Sequence, residues 1–232
     1  ILFFTDRGRV FQTKVYEIPE ASRVSKGKAI HNFLEIPLEE KLTAVITYPS
    51  EKKSVPGYLV MVTKNGLIKK TPLADFSNVR RSGIIAIKLK KGDALQWVKL
   101  SSGNDQVVLT TSFGQAIRFK ESQLRSMGRA TSGVRGIRLR KGDLVVALNL
   151  VTKENEKGEL FIVMANGYGK RTALSEYKVQ GRSGSGIKTS KVTPKTGQVI
   201  ASLVVTEEKE ILALSAKGQI IRTPLESVRS SG

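Results

Sequence analysis

Apolar and polar positions follow one order five times along the chain. A short apolar run (1–5, 58–63, 107–111, 160–164 and 211–214) ends at a turn glycine: Gly8, Gly66, Gly114, Gly167 or Gly218. Unbroken apolar runs of this length suit strands buried on both faces. The glycines, with Asn65 or Asn166 before two of them, supply the positive φ that tight hairpins demand. A second strand follows (10–15, 67–71, 115–119, 168–172, 219–223), alternating apolar and basic residues as a half-exposed strand does. Next comes a polar loop opened by an apolar anchor (Tyr16, Phe76, Leu124, Tyr177, Val228) and closed by Arg, Ser and Gly. Those clusters are Arg23-Val-Ser-Lys-Gly27, Arg80-Arg-Ser-Gly83, Arg129-Ala-Thr-Ser-Gly133, Gly181-Arg-Ser-Gly-Ser-Gly186 and Arg229-Ser-Ser-Gly232. A third strand is expected over 29–34, 84–89, 134–139 and, more weakly, 187–192. A turn such as Gly92-Asp93 or Gly142-Asp143 leads to a fourth, apolar strand over 42–47, 94–98, 144–148 and 199–204. No helix-period segment exceeds a turn or two.

The turn glycines are 58, 48, 53 and 51 residues apart. A β-patterned period of about 50 residues marks a propeller-like array of four-stranded sheets. The predicted class is therefore all-β, a single domain over 1–232 with units at 1–49, 58–100, 106–150, 159–205 and an incomplete 210–232. One such unit cannot bury its faces alone, so the units stack. About four and a half units would leave unpaired sheet edges, a liability that points to a piece of a longer domain.

Charge changes the picture from architecture to partner. Of 232 residues, 39 are Lys or Arg and 20 Asp or Glu, a formal net charge of +19, which points to a polyanion. The excess keeps repeat phase. Stretches 66–91, 114–141 and 167–195 together hold 22 basic residues against three acidic ones, while acids gather in the linkers at 153–159 and 207–210. Second strands, Arg/Ser/Gly loops and third strands would then form a basic band that meets phosphates through Lys, Arg, Ser hydroxyls and loop amides. The candidate phosphate contacts are Arg23, Lys26, Lys28, Lys69, Lys70, Arg80, Arg81, Arg118, Arg129, Arg135, Arg138, Lys170, Arg171, Lys178, Arg182, Lys188, Arg222 and Arg229. Only 6% of residues are aromatic, too few for a base-stacking surface, so duplex backbone binding is favoured over single-strand or base readout. Tyr168 is the one candidate platform, with packing in its hairpin as the plainer reading; Trp97 reads as core.

Catalytic chemistry is not evident. There is no cysteine, so no disulfide or thiolate metal site, and the lone His31 has neither a nucleophile motif nor companions for zinc. Asn166-Gly-Tyr-Gly-Lys170 lacks the first glycine of a phosphate loop, and Arg171 stands where that loop has Ser or Thr. Asp93 and Asp143 read as turn residues. No apolar run has the length of a membrane helix.

The run Leu2-Phe-Phe-Thr-Asp-Arg-Gly-Arg9, followed by Lys14-Val-Tyr-Glu-Ile-Pro-Glu-Ala-Ser22 and Lys26-Gly27, resembles the C-terminal domain of bacterial DNA gyrase A. Asn166-Gly-Tyr-Gly-Lys-Arg-Thr172 with Glu176-Tyr177 is similarly typical, and the likeness covers the whole chain. The resemblance implies a six-bladed β-pinwheel whose blades exchange strands and whose basic rim wraps duplex DNA. On that basis the chain corresponds to the second to fifth blades and half of the sixth. The family's box, Gln-Arg-Arg-Gly-Gly-Lys-Gly, belongs to the first blade. Its nearest echo here keeps Gln180, Arg182, Gly184 and Gly186. The implied role is accessory and non-catalytic. It is that of presenting a DNA segment for ATP-dependent negative supercoiling in an A2B2 assembly with the ATPase, gyrase B. ATP and Mg2+ would sit in other parts of that bacterial, cytoplasmic enzyme, and no membrane is implied. The alternatives are the related C-terminal domain of topoisomerase IV, serving decatenation or relaxation, and a basic protein-interaction propeller.

Overall fold

A computed structural model describes residues 1–22, 24–48, 57–215 and 218–231. The strands, in chain order, are β1 (Leu2–Thr5), β2 (Arg9–Gln12), β3 (Leu42–Ile46), β4 (Tyr58–Thr63), β5 (Leu67–Pro72), β6 (Ile84–Ile85), β7 (Leu95–Ser101), β8 (Gln106–Thr111) and β9 (Gln115–Lys120). They continue with β10 (Val134–Arg135), β11 (Val145–Val151), β12 (Glu159–Met164), β13 (Gly169–Ala173), β14 (Ile187–Lys188), β15 (Val199–Val205), β16 (Glu210–Leu214) and β17 (Ile220–Pro224). The first, second and fourth strands of each repeat lie where the apolar pattern puts them, within a few residues. Among the described residues the helical turns are short 3-10 turns, and all but Ile30–Asn32 follow a second strand.

The third strands differ from expectation in length and in place. Residues 29–34 form no strand; a 3-10 turn occupies Ile30–Asn32. In the next three repeats only two residues pair, and they pair with the preceding repeat's second strand. Ile84 and Ile85 face Val10 and Arg9, Val134 and Arg135 face Ile68 and Leu67, and Ile187 and Lys188 face Ala116 and Gln115. The sheet orders are β3-β1-β2-β6, β10-β5-β4-β7, β11-β8-β9-β14, β13-β12-β15 and β16-β17. Each four-stranded sheet is thus three strands of one repeat and a short strand of the next. Sheets joined in this way leave fewer open edges.

The residues fall into two compact units, one of Ile1–Asn104 with Ser122–Gly136, the other of Asp105–Glu121 with Ile137–Gly232. The third repeat's loop, 122–136, is grouped with the first unit because β10 belongs to the second repeat's sheet. In the first unit Leu2, Phe4, Val10, Leu59, Met61, Leu73 and Phe76 share a core, with Phe4 and Phe76 edge to face at 6.1 Å. In the second, Val108, Val151, Leu160, Ile162, Tyr177 and Val199 do the same. The loop anchors Phe76, Leu124 and Tyr177 are buried, whereas Tyr16 is 81% exposed. Phe76 has the first repeat's sheet to pack on. No earlier sheet covers Tyr16 among the described residues.

Candidate nucleic-acid interface

The Arg/Ser/Gly loops are where consecutive repeats meet. Gly133 and Gly186 take positive φ, and a Cβ on either would lie 2.6 Å from the Ile68 carbonyl oxygen or 2.4 Å from that of Ala116. Glycine is needed because the loop crosses directly over the backbone of the previous repeat's second strand. The crossing is sealed by hydrogen bonds: Gly136 N–H donates to Gly66 O (2.8 Å), and Thr189 N–H donates to Gly114 O (2.8 Å). These glycines therefore serve strand exchange.

Second-strand cations divide by position. The fourth residue after each turn glycine is Gln12, Lys70, Arg118, Arg171 or Arg222. Arg118 is 8% exposed; its Nη1 donates to Leu174 O (2.6 Å) and its Nε to Gln106 Oε1 (2.8 Å). Arg171 repeats the arrangement, donating from Nε to Val228 O (3.0 Å) and from Nη1 to Glu159 Oε2 (2.8 Å). Lys70 is 6% exposed with its ammonium 4.8 Å from the Tyr58 ring centre. Arg222 pairs with Glu210 at 2.5 Å. Lys69 is fully buried and donates from Nζ to Ala86 O, Gly128 O and Arg129 O at 2.8, 2.9 and 2.7 Å. Lys69, Lys70 and Arg118 thus correct the expectation of phosphate contact. Lys69 and Arg118, in the middle of a strand, reach the next repeat's loop and spend their charge on its carbonyls, while Lys70 lies over the Tyr58 ring of its own repeat.

The remaining candidates are placed differently. Lys26, Lys28, Arg80, Arg81, Arg135, Arg138, Lys178, Lys188 and Arg229 are exposed, and Arg129, Lys170, Arg171 and Arg182 are half-buried. Burial pulls the Lys170 ammonium below its ordinary range. Arg23 lies outside the described residues. Of the box-like loop, Gln180 donates its N–H to Arg118 O, and Gly184 O accepts from Arg138 N, both at 2.8 Å. Gly186 makes the close crossing described above.

Further exposed cations stand beside Arg138 or at places matching it, outside the candidate set. Lys88, Lys90 and Lys91 correspond to Arg138, Arg140 and Lys141, Lys191 corresponds to Arg138, and Lys195 stands two residues before the turn Gly197; all are exposed. Their signal is the Lys/Arg-Lys-Gly-Asp run, which the sequence pattern presents only as a turn. Its aspartate is structural: Asp143 Oδ1 accepts from Ser112 Oγ (2.8 Å), Phe113 N (2.9 Å) and Leu144 N (2.9 Å). Asp93 accepts likewise from Asn65 N and Ala94 N. Tyr168 is 43% exposed, with the Lys195 ammonium 5.7 Å from its ring centre, so it does not pack into its hairpin. Among the described residues no cluster of His, Asp and Glu is placed to hold a metal, and no helix is long and apolar enough to cross a membrane.

This arrangement of strand-exchanged sheets with exposed basic turns matches known proteins. A family model described as the DNA gyrase C-terminal domain, beta-propeller, matches residues 1–47, 57–102, 105–152, 159–206 and 209–232. The chain is 41% identical over 232 residues to a DNA gyrase A protein of Staphylococcus epidermidis, covering 26% of that protein. It is 42% identical over 234 residues to that of Mycolicibacterium smegmatis, covering 27%. It therefore spans about a quarter of the length of these curated relatives. A solved DNA gyrase A C-terminal domain superposes with a TM-score of 0.84 at 28% identity, covering 100% of this chain and 74% of that one. A DNA topoisomerase IV C-terminal domain superposes with a TM-score of 0.88 at 27% identity, covering 99% and 71%. The chain belongs to the DNA gyrase C-terminal domain family of β-propellers.

Proposed function

We propose that this chain binds and wraps duplex DNA without sequence preference, as the non-catalytic accessory domain of a gyrase A protein. The observation that supports this best is the recurrence of exposed cations after each exchanged strand: Lys88, Lys90 and Lys91, then Arg138, Arg140 and Lys141, then Lys191 and Lys195. Each set stands at the same place in its repeat, beside loop amides and hydroxyls. Phosphates are met there by charge and by backbone N–H, and no aromatic stripe accompanies them to read bases. In the whole enzyme the domain would act with the rest of gyrase A and the ATPase, gyrase B, feeding a wrapped segment to strand passage in the bacterial cytoplasm. ATP and Mg2+ would be bound elsewhere in that assembly.

The experiment is duplex binding by the chain across salt concentrations, with random-sequence duplex, single strand and an acidic protein as competitors. Binding should favour duplex, ignore sequence and weaken steeply with salt. Salt-independent binding, or preference for the acidic protein, would replace this reading with the protein-interaction propeller. Supercoiling against decatenation by the complete enzyme separates the gyrase role from that of topoisomerase IV.

A further inference from the structure

In the first three repeats the third residue after the turn glycine lies beneath the next repeat's loop. In the first repeat it is Phe11, whose ring would be 2.6 Å from a Cβ on Gly83; in the third it is Ile117, 3.6 Å from one on Gly184. In the second repeat the place belongs to Lys69, fully buried. A charge where Phe11 and Ile117 are apolar, and where the fourth repeat's Lys170 is only half-buried, is costly to bury unless it is fully hydrogen-bonded. Lys69 Nζ meets that condition with the carbonyls of Ala86, Gly128, Arg129 and Thr131, the last at 3.4 Å.

Three of those carbonyls belong to one short loop, and turning them inward has a consequence. In a planar trans peptide the carbonyl of one residue and the N–H of the next point in opposite directions, and the described residues contain no cis peptide. With the Gly128, Arg129 and Thr131 oxygens drawn to the ammonium, the N–H groups of Arg129, Ala130 and Ser132 are directed away from it. Among the described residues none of these amides has a protein acceptor. Consecutive outward amides of this kind make an anion-binding concavity. The same loop forms one wall of an open groove of about 800 Å3, whose other lining includes Arg9, Asn78 and Arg80. Arg9 is already paired with Glu40 at 2.8 Å. Arg80 and Arg129 have no ion-pair partner among the described residues.

We propose that this groove seats a single backbone phosphate of the bound polyanion, on the amides of Arg129 and Ala130 and the Arg80 and Arg129 guanidiniums. Lys69 is its positioning residue, acting through the loop it inverts. The proposal rests on the duplex-binding reading above. It also makes the seat sensitive to pH. Burial pushes the Lys69 ammonium down to about 8, with Asp75 opposing the fall and Arg129 adding to it. Above that pH the neutral amine keeps two N–H donors for four carbonyls and loses the charge that draws them in, which weakens the hold that faces the loop's amides outward.

The test combines amide NMR with duplex binding at fixed ionic strength. Inorganic phosphate, but not chloride, should shift the amides of Arg129 and Ala130. Duplex affinity should fall about tenfold between pH 7 and pH 9, as the protonated fraction of Lys69 does. K69M should lack that pH step and bind about tenfold more weakly at pH 7, the worth of one charge-assisted contact. K69R, charged throughout this range, should restore binding without the step. Wild type that binds duplex with no step between pH 7 and pH 9, or K69M and K69R that keep it, would overturn the seat and leave duplex binding standing. Wild type that fails to bind duplex would overturn the proposed function itself.

Discussion

Arg118 Nη1 lies 2.6 Å from the carbonyl oxygen of Leu174, joining the second strand of one repeat to the loop of the next. A guanidinium can serve several acceptors at once, and Arg118 also bonds Gln106 Oε1. Removing it would take the charge-assisted donor from the Leu174 carbonyl, which keeps the Tyr177 N–H at 3.1 Å, and would leave a gap in a buried place beside Tyr177. R118A should therefore cost about 2–3 kcal/mol, from the lost charge-assisted bonds and the gap. Urea unfolding checks this. A change below about 0.5 kcal/mol would mean that the arginine is a surface cation after all.

Two glycines with similar backbone angles should respond differently to alanine. Gly186 (φ +72°) has Ala116 O 2.4 Å from its missing Cβ, while Gly92 (φ +78°) has nothing within 4 Å. G92A bears only the left-handed conformational cost, about 1–2 kcal/mol. G186A adds a clash with backbone that cannot move without opening the β9–β14 pairing, and should cost at least about 3 kcal/mol. Thermal unfolding of both variants measures the gap.

The outer turns test whether exposed charge carries binding. Replacing Lys90, Lys91, Arg140 or Lys141 by alanine should lower the salt slope of duplex binding by about one for each phosphate no longer neutralised. Stability should stay within about 0.5 kcal/mol of wild type, since these side chains are exposed. An unchanged salt slope in the fourfold variant would remove these turns from the interface.

Lys69 also predicts a pH dependence of stability, opposite in sign to that of binding. Its folded value of about 8 lies below the value of 10.5 for a free lysine. Between these values the unfolded chain holds the proton and the folded chain does not, so stability rises with pH across that window. Below about pH 8 both states are protonated and Lys69 adds no slope. The stability of wild type relative to K69M should grow by about 1–3 kcal/mol from pH 8 to pH 10.5. Denaturant titrations of both proteins at several pH values check it; a constant difference would show that the carbonyl cage keeps Lys69 charged.

The repeat, the strand classes and the turn positions were legible in the sequence. Apolar runs such as 58–63, and glycines such as Gly66 and Gly114, depend on local sterics and on burial of contiguous residues. Net charge and its phase were equally readable, because charge is a property of composition and order. The sequence pattern could not show which sheet a third strand joins, since Ile84 and Ile85 pair equally well in the abstract with their own repeat or with Val10 and Arg9. Nor could it separate Lys69, Lys70 and Arg118 from cations such as Arg138. All are basic residues in repeat phase, and only packing decides which ends inside. The Arg/Ser/Gly loops show the division most clearly. Sequence determined that they recur and that they are basic. Tertiary structure decided that their glycines serve close backbone crossing, that Lys69, Lys70 and Arg118 are buried and Arg171 and Arg222 paired within the fold, and that cations such as Arg138 and Lys188 are exposed. The reason is physical: hairpins and charge are local, whereas strand exchange and burial depend on what a distant repeat brings alongside.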